Sequence, residues 1–507
     1  MPPDSDARPG LMIEARCRIE RLKLPQILRP YNSRSRSCWG PSRFPAVILL
    51  LLCLALPLSA GGDNPPAAVC ADCIRQNLDY LAGPALHGRG SGTVDEYHAA
   101  EYIAKKLKEY GLAPAAEHRE YIQTGGIQSR TVRGVPVLSF GGSGARSEPV
   151  VLTQGRELAV VTASQPEVSA PLQKLDLNDA GSSPASARAG AAVLLKLKSG
   201  SSPQRAQSVV GPYLTSKATL VMVAEPADGG AIFQQLVKRG PREERKVADT
   251  PARPDLIFVA HEAAQQVWGA ADGTPIRFHA DVTAWQISHT WNVLAKIEGT
   301  TEKRQVILLS AHLDHLGVRD GQTYPGADDD ASGTVAVMEL ARALAKQRRP
   351  QRTVVFALWG SEEVGLVGAR YFLAHPTFAL RDIVANLEFE MIGRSDPRVK
   401  PDELWLTGWE RTNLGPELAA HGAKLVGDPH PEQNFFMRSD NFALARDGIV
   451  AQTVSSYGLH SDYHQPTDTP DKVDWEHLDS AIGSMIAPVS WLANSDFMPM
   501  WNAGGKP

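Results

Sequence analysis

The stretch from Val306 to Arg370, VILLSAHLDHLGVRDGQTYPGADDDASGTVAVMELARALAKQRRPQRTVVFALWGSEEVGLVGAR, constrains the fold of this chain more than any other. Val306–Ser310 is a short apolar run of β-formers, the pattern of a buried strand. At its carboxyl end come His312, Leu313 and Asp314, then a glycine-containing loop with Asp328, Asp329 and Asp330. Ala331-Ser332-Gly333 leads into apolar periodicity that predicts a helix from about Thr334 to Lys346. A second buried run, Val354–Leu358, delivers Ser361, Glu362 and Glu363 at its own end. Ligands of open α/β sheets gather beyond the carboxyl ends of the strands. A histidine, three aspartates and two glutamates at two such ends predict a metal site.

At 507 residues the chain is long enough for two domains plus a targeting segment. Its 43% hydrophobic and 21% charged content is that of an ordinary globular protein. The net charge of −4 is uneven: residues 1–60 carry nine Lys/Arg against four acidic residues, leaving the body acidic. No basic stripe remains there, which excludes nucleic acid as an expected partner. The basic lead runs into AVILLLLCLAL at 46–56 and then Pro57-Leu58-Ser59-Ala60. Such a segment, near 44–60, reads as a secretory signal peptide. The expected location is therefore secreted or periplasmic, with membrane attachment only if the segment is retained. Of the five cysteines, Cys70 and Cys73 alone lie beyond it. Their lone CxxC is compatible with a local disulfide and equally with two free thiols, and no catalytic role is assigned to it.

Four segments follow: a basic lead with signal peptide or anchor (1–60), a first part of the main domain (61–127), an inserted β-rich domain (128–281) and the rest of the main domain (282–507). The first part contains expected helices at Cys73–Leu81 and Asp95–Tyr110, separated by a glycine-rich loop with His87 and Arg89, read as a solvated turn. In 128–281, short strands such as Val135–Phe140 and Leu158–Thr162 alternate with Gly/Ser/Pro clusters, and this insertion either walls or restricts the site or is decorative, which the sequence does not separate. Beyond Arg370, Ile383–Phe389 is a strand, Tyr457–Asp474 a polar loop and Trp475–Leu492 a closing helix. The fold class is α/β: a mixed central β-sheet with helices on both faces, interrupted by the insertion.

Zinc takes both imidazole nitrogen and carboxylate oxygen. The candidates are His312, Asp329, Glu363, Glu390 and His464, with Glu388 a competitor for the fourth place. One carboxylate bridging two ions, each keeping a histidine and a terminal carboxylate, would use all five. Glu362 is the candidate general base, because neighbours on an extended segment point to opposite sides. Asp314 is the candidate acceptor for the second ring nitrogen of His312. Each motif alone has an ordinary meaning, since Asp and Ser cap helices and glutamates favour helix starts. Their occurrence in series at strand ends argues otherwise.

HLDH at 312–315, PGADDDASG at 325–333, SEEVGLVGAR at 361–370, EMIGR at 390–394 and DYHQPTDTPDK at 462–472 resemble the motif series of the co-catalytic zinc aminopeptidases. That family includes bacterial leucyl aminopeptidases, with glutamate carboxypeptidases, glutaminyl cyclases and transferrin receptor as relatives. The resemblance covers about 70–125 and 285–495 and implies a zinc exopeptidase fold with two Zn2+ per chain. It implies His312, Asp329, Glu363, Glu390 and His464 as ligands, Asp329 bridging with a cis peptide to Asp330. It also implies Glu362 as the base and Tyr463 as donor to the oxyanion. Glu390 departs from the family's usual aspartate by one methylene. Asp314, Asp330, Arg394, Asp440 and His460 are further candidates near the site, as is His315.

The expected activity is that of an exported aminopeptidase acting on peptides. A carboxypeptidase or dipeptidase of the same fold is the alternative, ahead of a glutaminyl cyclase or a non-catalytic receptor-like protein. Oligomeric state leaves no signal in the sequence.

Overall fold

Strand Glu302–His312 sends successive side chains to opposite faces, and both faces are covered. Ile307, Leu309 and Ala311 join one core, while Val306 and Leu308 join another. That double burial is why the run is apolar without alternation. In the computed structural model, residues 68–507 are described apart from 142–147, 179–182, 199–205, 207–208, 228–229, 242, 249 and 251–252. The expected signal segment near 44–60 lies outside the described residues. No described helix is long and apolar enough to cross a membrane.

Among the described residues, ten strands form the principal sheet. Across its middle run Ala451–Ser455, Ile383–Phe389, Glu302–His312 and Arg352–Trp359, all parallel to their neighbours in that order. Gln286–Ile297 adds antiparallel to Arg352–Trp359, and Ile122–Arg130 adds antiparallel to it in turn. The sheet is thus mixed, with its parallel centre carrying the sequence motifs. Val354–Leu358 and Val306–Ser310 extend by several residues to these observed bounds, so His312 lies within its strand.

Helix Gly333–Ala345 is buried on all sides through Leu344, as its hydrophobic circumference requires. It packs on the sheet and under helices Ala71–Leu81, Val94–Glu109 and Trp475–Asn494. Its two buried charges satisfy each other: Arg342 Nε donates to Glu339 Oε2 at 2.6 Å. Glu339 Oε1 also accepts from the Cys70 backbone at 2.7 Å, tying down the start of the first helix, where Cys70 and Cys73 form a disulfide. Helices Val367–Ala374 and Asn441–Arg446 cover the other face.

A second sheet of eight strands is built from residues between Val132 and Val282. Its strands Ala192–Lys196, Leu220–Ala224 and Asp255–Val259 are parallel, and helices Gly230–Arg239 and His261–Gly269 accompany them. Glu244–Val247, from the same stretch, instead pairs with Ile122–Arg130 of the principal sheet. Val247, Ile127 and Val367 close a small core there, so this strand of the insertion bears on the helix that follows Glu362 and Glu363.

Gly333 opens the central helix where no side chain fits. A Cβ there would press on the Phe389 carbonyl oxygen and the Asp330 carboxylate. Gly333→Ala is expected to lower unfolding free energy by about 1–3 kcal/mol, the range for overpacking. Urea unfolding checks this, and an unchanged midpoint would contradict it.

Candidate active site

Three adjacent parallel strands end side by side, and their ends assemble the site. Glu302–His312 supplies His312, Arg352–Trp359 leads to Glu362 and Glu363, and Ile383–Phe389 leads to Glu390. Asp329 comes from the turn before the central helix, and His464 from the polar loop after Ala451–Ser455. The peptide from Asp329 to Asp330 is cis, as the resemblance implies.

Two groups of potential ligands share Asp329: His312, Asp329 and Glu390 form one, and His315, Asp329 and Glu363 the other. His312 Nε2 lies 3.3 Å from Asp329 Oδ1. His464 Nε2 lies 3.2 Å from both Asp329 Oδ2 and Glu363 Oε2. Donors bound to one tetrahedral zinc at 2.0–2.1 Å stand about 3.3 Å apart, so these atoms are spaced for a shared cation. His312 Nε2, Asp329 Oδ2 and Glu363 Oε1 are moreover buried without hydrogen-bond partners. Native structures rarely leave such atoms unpaired unless an ion or water takes them up. The residues present therefore fit divalent cations.

The backbone is bent to aim these groups. Ser361 (φ 52°), Met391 (φ 51°) and His464 (φ 56°) all occupy the left-handed region that non-glycine residues avoid. The Glu362–Glu363 pair is accordingly not on an extended segment, as expected, but at a turn entered through Ser361. That bend, rather than strand alternation, sends the two carboxyls apart.

Asp314 also differs from expectation. His312 Nδ1 lies 3.2 Å from the Asp314 carbonyl oxygen, and the Asp314 carboxylate is farther, at 3.7 Å. The carboxylate instead accepts from the Glu362 backbone at 2.9 Å and the Ser91 hydroxyl at 2.5 Å. It therefore holds the backbone of the candidate base. Asp330 accepts from the backbones of His312, Gly333 and Met391, joining all three motif segments. Arg394 pairs with Asp462 at 2.7 Å and Asp468 at 3.2 Å. His460 Nε2 lies 2.8 Å from Asp328 Oδ2. Asp440 is fully buried and both its oxygens lack hydrogen bonds, but it belongs to neither ligand group. Glu388 accepts from Ser439 and from the Asn441 backbone, and it belongs to neither ligand group.

Several site residues escaped the sequence reading. Arg89 is not solvated: it is 1% exposed, and its guanidinium donates to the carbonyls of Leu81, Leu313, Pro325 and Gly326. Glu96 is buried and accepts from Ser361, Thr290 and the backbones of Gly92 and Trp291. Its only sequence signal, Thr93-Val94-Asp95-Glu96, has the pattern of a helix capping box. Asp468 accepts from the backbones of Asp328 and Asp329.

Electrostatics follow from this crowding. Burial, reinforced by Asp440, Glu363 and Glu390 against an opposing His312, holds Glu362 well above the usual carboxylate range. Burial would lower His464, but the Asp329 and Glu363 carboxylates 3.2 Å from its Nε2 outweigh it and raise it to about 10. A cation must displace that proton. Affinity for a divalent cation is thus expected to fall as pH drops below about 10, with protons released on binding. Calorimetric titration in buffers of different ionisation enthalpy measures this, and buffer-independent heats would refute it.

Asp329, Glu362, Glu390 and His464 open onto one cleft of about 490 Å³, whose other walls include Met391, Trp405, Phe435, Arg438, Tyr457 and Tyr463. Every lining residue lies between Asp329 and His464. Among the described residues, none of the insertion at 128–281 lines this cleft. Tyr463 stacks on His464 with ring centroids 3.9 Å apart, and Arg438 Nη2 lies 3.4 Å from its hydroxyl.

Fold and site together define a class: a mixed α/β domain whose strand ends gather imidazoles and carboxylates around shared cation positions. Residues 292–489 match the model of peptidase family M28, so the resemblance read from the motifs is borne out over the segment that carries all five of them. A probable lipoprotein aminopeptidase of Mycobacterium tuberculosis, LpqL, is 27% identical over 262 residues, covering 45% of this chain and 50% of that protein. A probable zinc metalloprotease of Leptosphaeria maculans is 40% identical over 108 residues, covering 20% of this chain and 25% of that protein. The chain thus spans half or less of these curated relatives. Among solved structures, an aminopeptidase from Aneurinibacillus sp. strain AM-1 is 19% identical with a TM-score of 0.49, covering 85% of this chain and 95% of that one.

Proposed function

We propose that this chain is an exported, zinc-dependent exopeptidase that hydrolyses N-terminal residues from peptides. The observation that carries the reading is the convergence of two ligand groups on Asp329, which lines one cleft together with Glu362, Glu390 and His464. Zinc also accords with the relative named as a zinc metalloprotease. His312, Asp329 and Glu390 would hold one ion, and Asp329, Glu363 and His464 the other. Bound there, the ions supply Lewis acidity toward a water and the scissile carbonyl.

This chain's own residues do the rest. Glu362, whose carboxyl burial raises above the usual carboxylate range, takes the attacking water's proton and delivers it to the leaving amine. Tyr463, kept protonated because burial and nearby carboxylates raise its phenol, donates to the developing oxyanion. Glu362 and Glu390 also make one end of the cleft acidic, a surface that a substrate ammonium can approach. Asp314 accepts from the Glu362 backbone and Glu96 from the Ser361 hydroxyl, so the base keeps its aim. Tyr463→Phe is expected to lower kcat about 10–100-fold with little change in KM, since the bond forms mainly in the transition state. Steady-state kinetics decide this, and a change confined to KM would reassign the tyrosine to ground-state binding.

One observation favours a second reading. Arg438 lines the same cleft and is the cation able to receive a substrate carboxylate, as a carboxypeptidase or dipeptidase needs. Hydrolysis of aminoacyl p-nitroanilides beside N-acetylated peptides, each with and without chelator, separates the two. Chelator-sensitive cleavage of unblocked substrates alone supports the aminopeptidase. Equal cleavage of N-acetylated peptides would overturn it.

A further inference from the structure

The fivefold ligand set leaves one buried imidazole unexplained. His315 is 0% exposed, and both its ring nitrogens lack hydrogen-bond partners. A neutral imidazole carries a donor and an acceptor, so leaving both unmet in the interior is costly. Its Nδ1 lies 2.7 Å from Glu363 Oε1 and 3.9 Å from Asp329 Oδ2. Yet Nδ1 and Glu363 Oε1 both remain without a hydrogen bond. The two atoms are close but not aligned as donor and acceptor, and with Asp329 they form a group whose potential ligand atoms all lie within 4.8 Å of one another.

The ring is also held firmly. The His315 backbone donates to Arg89 O at 3.0 Å and accepts from Ser91 at 3.2 Å. A Cβ at Gly326 would come within 2.5 Å of the His315 ring, so only glycine leaves room for it. His464 approaches the same carboxylates, with the two imidazole centroids 5.8 Å apart and the rings steeply inclined at 68°. Two imidazoles therefore face the Asp329–Glu363 pair, whereas His312 alone accompanies Asp329 and Glu390.

We propose that His315 is a further ligand of the cation held by Asp329, Glu363 and His464, making the two metal positions unequal. This inference rests on the metallopeptidase reading. With four protein donors, that position is nearly closed, like a structural zinc site, and retains its ion more tightly. The His312–Asp329–Glu390 position keeps the open coordination on which water and substrate depend. The order of filling follows: the doubly imidazole-ligated position fills first and empties last.

Zinc titration of the full chain against a chromophoric chelator tests this, together with X-ray absorption that counts imidazoles around zinc at one and two equivalents. The wild type is expected to bind two ions with affinities at least about tenfold apart, the first surrounded by two imidazoles. His315→Ala is expected to weaken the tighter ion by about 10–100-fold, the range for disturbing a ligand's surroundings, or more. His315→Gln keeps a polar group able to hydrogen-bond Glu363 but is a poor zinc ligand, and is expected to behave like the alanine variant. If His315→Gln retained the wild-type affinity, or if one imidazole accompanied the first ion, His315 would be a hydrogen-bonding residue and the proposal would fall. A wild type that bound no zinc would overturn the metallopeptidase reading as well, so the two failures are distinct. Circular dichroism of each variant shows whether the fold is retained.

Discussion

Glu362→Ala is expected to lower kcat by roughly 10²–10⁴-fold, the span of a positioned general base, while zinc content stays at the wild-type level. The separation follows from geometry. Glu362 lines the cleft but belongs to neither ligand group, whereas its neighbour Glu363 lies 3.2 Å from the His464 ring. Its backbone is held by Asp314 rather than by its own carboxyl, so removing the side chain leaves the turn anchored. Metal analysis beside kcat measured at saturating substrate provides the test. A variant that lost zinc along with activity would make Glu362 a ligand, and one that kept full activity would end its assignment as base.

Asp329→Ala is expected to remove both ions and all measurable turnover. The carboxylate is the only group common to both ligand sets, with Oδ1 toward His312 and Oδ2 toward His464. Without it, His312 and Glu390 on one side and His464 and Glu363 on the other are left as pairs of protein donors, too few for firm zinc binding unless His315 completes one. Asp329→Asn separates charge from geometry, because the amide keeps one acceptor oxygen and loses the negative charge. Retention of two tightly held ions in either variant would show that the positions do not share this residue. Both variants are expected to fold, since the burial holding the central helix does not involve Asp329.

The motifs were readable because each couples a local pattern to a strand end. Apolar runs at Val306 and Val354 mark buried strands, and the polar residues after them have to lie at the sheet's edge. Where the chain departs from such patterns, the sequence was silent. Glu96 sits on an N-terminal helix and looks like a capping residue, yet it touches Ser361 from 265 positions away. Arg89 looks like a solvated loop arginine, but four carbonyls satisfy it in the interior. The extended geometry expected at Glu362 and Glu363 failed because a positive φ at Ser361 depends on tertiary contacts that no propensity reports. The parallel strands and the two helices in the insertion were legible only in part, for its short apolar segments fit several sheet arrangements equally well.

The sequence by itself determined the order of buried strands and covering helices, and which residue types stand at the strand ends. Hydrophobic periodicity is local, so a single chain segment suffices to read it. The tertiary structure alone decided which of those residues meet, that Asp329 faces histidines on two sides, and that His315 joins them. Those relations depend on strand order and on bends in loops far apart in the chain, where distances of a few ångströms separate a ligand from a bystander.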